Sequence, residues 1–154
     1  MATVNPERLA NEVLAKNPSR SHTDVESIIS SYGIRVYYYA FSSEISGIFT
    51  WIGNQPVIGI NKLHPKVRQR FTMAHELYHF LKHPEDKQVL RMSSTINNNL
   101  EERQASRFAA SLLMPKQVIA ASKEKSTKAL ARLFRVSEEA MEIRVKELNM
   151  LSTL

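Results

Sequence analysis

The sequence predicts an α+β protein in which helices pack on a small three-stranded sheet. Three observations lead there. Residues 34–61 hold three short runs rich in β-branched and aromatic side chains: IRVYYYAF, SGIFTWI and PVIGIN. On both sides of them apolar residues recur at helical spacing. The chain has 154 residues, enough for one domain with a real core and too few for two ordinary ones. The expected organisation is therefore a single domain over 1–154. It divides into N-terminal helices (1–33), sheet (34–61), a central helix (65–83), a further helix (100–114) and C-terminal helices (116–154).

The elements follow in order. Residues 5–17 read as a first helix, stopped by Asn17-Pro18. Thr23 and Glu26 form the T-x-x-E pattern of a capping box for a second helix, DVESIISSY, and Gly33 can end it with a positive φ. Three strands follow, the last two joined by the turn-like Gly53-Asn54-Gln55, and a meander is the simplest arrangement. His64-Pro65 opens the central helix, with the proline at its first position. Val67, Phe71, Ala74, Tyr78 and Leu81 make one apolar stripe of that helix, and Met73, Leu77 and Phe80 fill a neighbouring face. A helix apolar on most sides is packed by several elements. Residues 85–99 show no clear period, and STINNN (94–99) reads as an exposed loop. LEERQASRFAASLLM (100–114) is helical up to Pro115, and weaker helices follow at 116–123, 127–134 and 138–150.

Composition narrows the function classes. There is no cysteine, so a transition-metal site must use histidine and carboxylate ligands. No apolar run approaches the roughly 18 residues needed to span a bilayer, and the N-terminus lacks the apolar core of a signal peptide. A cytoplasmic protein is expected, with no membrane partner. The net charge is +6, but it is dispersed: residues 62–91 carry +4, residues 116–154 carry +3, and no segment is a basic tail. That distribution argues against direct DNA binding.

The central helix carries the chemistry. His75-Glu76-Leu77-Tyr78-His79 is H-E-x-x-H. Positions i and i+4 of a helix share one face, so both imidazoles can reach one zinc ion. Glu76 is turned about 100° from His75 by helix geometry and stands beside the metal rather than on it. There it can take a proton from the attacking water and pass it to a leaving amine. The motif alone is a hypothesis, and its setting in a central apolar helix supports it, because unpaired imidazoles are costly to bury.

A catalytic zinc needs a third protein ligand. His83 lies one more turn along, but a straight helix does not readily wrap three ligands around one tetrahedral ion. His83 reads instead as a cation at a helix C-terminus. Glu102 is the better candidate. It shares a helical face with Ala105, Ser106, Ala109 and Leu113, and a lone carboxylate in such a stripe asks for a partner. Glu101 is the second choice.

The blocks RFTMAHELYHFLKH and E-x-x-A-S-x-FAASLLMP together resemble the ImmA/IrrE-type metallopeptidases, zincin-like proteins whose usual pattern is FTLAHELGH followed by E-x-x-A-N-x-FA-x-x-LLMP. The resemblance runs from about Gly33 to Leu148 and includes Leu130-Ala131, Phe134 and Val136-Ser137. It implies zinc ligands at His75, His79 and Glu102, one zinc per chain, and a catalytic glutamate at Glu76. It also implies a prokaryotic or phage-borne endopeptidase that cleaves a helix-turn-helix repressor of a mobile element, prophage or stress regulon. Tyr78 stands where the family has glycine, which would narrow the cleft beside the metal. Ser106 stands where it has asparagine, and a serine hydroxyl can still hydrogen-bond there.

Two rival readings belong to other classes. Residues 127–148 form two short helices about Arg135-Val136-Ser137, like a helix-turn-helix DNA reader with a structural metal elsewhere. Against it, Glu138, Glu139 and Glu142 crowd the start of the would-be recognition helix, where phosphates would lie. The other rival is a pseudo-peptidase that binds its partner without cutting, which the intact Glu76 opposes. Finally, strand 34–41 or 46–52 could border the cleft as an edge for an extended substrate.

Overall fold

The computed structural model describes residues 5–18, 22–87, 90–94, 99–124 and 126–148. Seven helices and four strands occur among them: α1 (Pro6–Lys16), α2 (Val25–Ser31), β1 (Arg35–Tyr39), β2 (Ile45–Ile52), β3 (Gln55–Asn61), α3 (Lys66–Lys82), β4 (Leu90–Ser94), α4 (Leu100–Leu113), α5 (Lys116–Ala121), α6 (Thr127–Phe134) and α7 (Glu138–Glu147). The α+β class holds. No helix among the described residues is long and apolar enough to cross a membrane.

The three expected strands are present, and a fourth joins them. The sheet order is β1-β3-β2-β4, so the expected meander is replaced by a mixed sheet. β2 and β3 form a tight hairpin, with Ile52 opposite Gln55 and Gly53 at φ 61° in the first loop position. β1 instead runs parallel to β3, Arg35 opposite Val57 and Tyr39 opposite Asn61. β4 covers the other side of β2, which is therefore internal and not the edge that strand 46–52 was expected to offer. β4 falls in the stretch that showed no period. Of STINNN, Ser94 ends β4 and Asn99 caps α4, while 95–98 lie outside the described residues. The expected helix 138–150 is seen to Glu147, and 149–150 likewise lie outside.

Two helix starts differ from expectation. Asp24, not Thr23, caps α2: its carboxylate accepts from the Ser27 amide at 3.1 Å. The Thr23 hydroxyl instead donates to the Leu112 carbonyl at 2.8 Å, tying this turn to α4. Pro65 is the N-cap of α3 rather than its first helical residue. Gly33, at φ 75°, closes α2 as expected.

The inner sheet face presents Phe49, Ile58 and Ile60, all fully buried, and α3 answers with Met73 and Leu77. α4 lies against the other side of α3, and α1 against α4. α3 is thus the middle layer, which accounts for its apolar residues on most sides. The outer face of β1 is left to solvent: Tyr37 and Tyr39 stack on each other there, more than a third exposed, rather than packing under another layer.

A candidate metal centre between two helices

The site is built by two helices whose starts and contacts fix its side chains. α3 places His75 and His79 one turn apart, with ring centroids 5.4 Å from each other. Asn99 caps α4 by accepting the Glu102 amide at 2.9 Å, which sets Glu102 in the first turn. An acidic side chain there is also favoured by the helix dipole. Ala105 and Ala109, both fully buried, keep the α4 surface shallow so that α3 can come close. The stripe that singled out Glu102 in the sequence is the face that meets α3.

The three side chains converge. Glu102 Oε2 lies 2.8 Å from His75 Nε2, and Oε1 lies 2.8 Å from His79 Nε2. All three residues are buried, and their donor atoms fall within 4.8 Å of one another; they form such a group among the described residues. Burial alone would raise the Glu102 carboxyl, but the hydrogen bond with His75 and the closeness of both imidazoles outweigh it and lower its pKa to about 2. Glu102 is therefore an anion at neutral pH.

The contacts suit a divalent cation. Ser106 Oγ stands 3.2 Å from His75 Nδ1, which turns Nε2 of that ring inward. The ion-pair contact of His79 with Glu102 is short but not aligned: neither ring nitrogen of His79 makes a hydrogen bond, although both are buried. Two imidazole nitrogens and a carboxylate, buried and only partly satisfied by one another, are a donor set of the zinc class.

Around this group each remaining candidate has a definite place. Glu76 is fully buried and outside the cluster, toward β2. Gly47 of β2 makes room for it: a Cβ there would lie 3.6 Å from Glu76 Cγ and only 2.7 Å from Thr72 Cγ2 and from the Gly59 carbonyl. Next to Gly47 the pairing of β2 with β4 slips by one residue, a bulge at Ser46. His83 caps the C-terminus of α3, outside the cluster, and its Nε2 lies 2.7 Å from Glu101 Oε1. Tyr78 is buried against Phe108, ring centroids 5.7 Å apart, and its hydroxyl donates to Gln104 Oε1 at 3.2 Å. Its ring thus serves the α3–α4 interface. Gly47 escaped the sequence reading, though a glycine inside a strand signals a close backbone approach.

A family model described as the IrrE N-terminal-like domain, Peptidase_M78, matches residues 29–146. The chain belongs to this family. The match spans β1 to α7 and contains His75, Glu76, His79, Glu102 and Ser106. No curated protein matches the M78 chain. Among solved structures, it is similar to a Mycobacterium tuberculosis transcriptional regulator, with a TM-score of 0.64 at 16% sequence identity. The similarity covers 88% of this chain and 44% of that one, so the chain spans less than half the length of its structural neighbour. At that identity the likeness speaks for the fold alone.

Proposed function

We propose that this M78 chain is a zinc-dependent endopeptidase in which His75, His79 and Glu102 hold the metal and Glu76 is the general base. The observation that carries the reading is the buried convergence of His75, His79 and Glu102, with Glu76 on the adjoining face of α3. Zinc, when bound there, supplies Lewis acidity toward the scissile carbonyl and toward water. Glu76 takes the proton of the attacking water and delivers it to the leaving amine. Ser106 holds His75 in the tautomer that faces inward. β4 is the sheet edge on the Gly47 side, and an extended substrate segment adds there by main-chain pairing.

The substrate we propose is a helix-turn-helix repressor in the cytoplasm of a prokaryote, encoded near the peptidase gene. Wild type and Glu76→Gln are incubated with the product of an adjacent repressor gene, and the fragments are identified by mass spectrometry. Wild type makes one dominant cut. Glu76→Gln folds and keeps its zinc, while cleavage falls by roughly 100-fold or more, the scale of losing a general base. Equal cutting by both proteins removes Glu76 from the mechanism. Zinc bound, repressor bound and no cut by either favours the non-catalytic reading.

The DNA-reader reading draws on α6 and α7, which are joined through Arg135 in the left-handed conformation at φ 56°. α7, however, turns Met141, Arg144 and Val145 inward, and Arg144 Nε donates to the Met114 carbonyl at 3.0 Å. Glu138 and Glu139 occupy its first turn. A helix committed to packing, with acidic residues at its N-terminus, is a poor groove reader. Duplex binding with a steep salt dependence and sequence preference would favour this reading instead.

A further inference from the structure

The two histidines of the centre are held unequally. The outer nitrogen of His75 has Ser106, while His79 makes no hydrogen bond through either ring nitrogen. A buried imidazole N–H without an acceptor is costly, and a ligand ring held on one side only can turn or change tautomer. On the Nδ1 side of His79 stands the carboxylate of Glu101, with Oε1 at 3.7 Å. The same oxygen lies 2.7 Å from Nε2 of His83, one turn further along α3. One carboxylate oxygen therefore sits between two imidazoles. The Glu101 and His83 side chains are 23% and 28% exposed, whereas that of His79 is 1% exposed, so the pair forms the rim over a buried ring.

We propose that Glu101 is a positioning residue for the metal centre, accepting the Nδ1 proton of His79 so that Nε2 faces the metal, while His83 braces the carboxylate from outside. This rests on the zinc reading above. The contact must shorten from 3.7 Å to about 2.8 Å, a movement of roughly 1 Å within the reach of a glutamate side chain. Adjacent residues of α4 then divide the work, Glu102 toward the metal and Glu101 toward the ring that binds it. Outer carboxylates of this kind fix ring orientation and raise ligand basicity.

The test is zinc affinity, measured by competition with a chromogenic chelator, for wild type, Glu101→Ala, Glu101→Gln and His83→Ala. Glu101→Ala should bind zinc about 10- to 100-fold more weakly, the range for losing an outer partner. Glu101→Gln, whose amide oxygen still accepts a proton, should recover most of that loss, and His83→Ala should lose less than Glu101→Ala. In the zinc-loaded wild type, nitrogen-15 NMR should show a slowly exchanging Nδ1 proton on His79, absent in Glu101→Ala. Unchanged affinity in Glu101→Ala overturns the proposal. So does an equal loss in both Glu101 variants, which would make the carboxylate itself a metal ligand. Failure of wild type to bind zinc overturns the zinc reading, and this assignment with it.

Discussion

Ser106 Oγ lies 3.2 Å from His75 Nδ1, one turn of α4 beyond Glu102. The two α4 residues thus address opposite nitrogens of one imidazole, Glu102 at Nε2 and Ser106 at Nδ1. A serine side chain, short as it is, reaches the ring from this position.

Removing that hydroxyl tests its role. Ser106→Ala should fold normally and bind zinc about 10-fold more weakly, the lower end of the effect of losing an outer hydrogen bond. Ser106→Asn should bind within a few-fold of wild type, since an amide oxygen accepts the same proton. Chelator competition measures both. Wild-type affinity in Ser106→Ala would show that the contact is incidental.

Gly47→Ala adds a methyl group where the Gly59 carbonyl and Thr72 Cγ2 already stand 2.7 Å from the Cβ position. Part of that clash is with backbone, which yields little. The variant should lose about 1–3 kcal/mol of stability in urea unfolding, as for overpacking. Because Thr72 and Glu76 share that face, peptidase activity should fall more than zinc content. Full stability would mean that α3 and β2 separate more easily than the packing suggests.

Tyr78→Gly tests what the ring contributes to the contact between α3 and α4. The ring is 1% exposed and packs on Phe108, so the substitution leaves a cavity and a glycine inside a helix. A loss of about 3–5 kcal/mol is expected from the ring, and about 1 kcal/mol more from the glycine. Tyr78→Phe should lose only about 1 kcal/mol, for the hydrogen bond to Gln104. Denaturant midpoints decide this, and equal losses in the two variants would show that the ring contributes little.

Zinc should stabilise the fold by mass action. At a free zinc concentration 100 times the dissociation constant the gain is about 2.7 kcal/mol, seen as a rise in melting temperature that a chelator reverses. His79→Ala and Glu102→Ala should abolish the rise, while Glu76→Gln should keep it. A zinc-dependent rise in the His79→Ala and Glu102→Ala double variant would place the metal elsewhere.

The sequence by itself determined what depends on local geometry. His75 and His79 share a face because four residues make about one helical turn, whatever surrounds them. The turn between β2 and β3 was legible in Gly53-Asn54-Gln55, although pairing draws Gln55 into β3 opposite Ile52 and leaves a two-residue loop. Glu102 was legible because a carboxylate among Ala105, Ser106 and Ala109 contradicts its own stripe. Tertiary structure decided the rest, because it depends on partners distant in the chain. The strand pattern of β1 is compatible with a meander or with a parallel partner, and only the packed sheet chose β3. β4 carries no period of its own and is a strand through its pairing with β2. Thr23 left its expected cap for a carbonyl 89 residues away. Glu101 and Glu102 are alike as a dipeptide, but α4 rotates about 100° between them. Packing against α3 turned that rotation into two positions, Glu102 between both histidines and Glu101 at the rim.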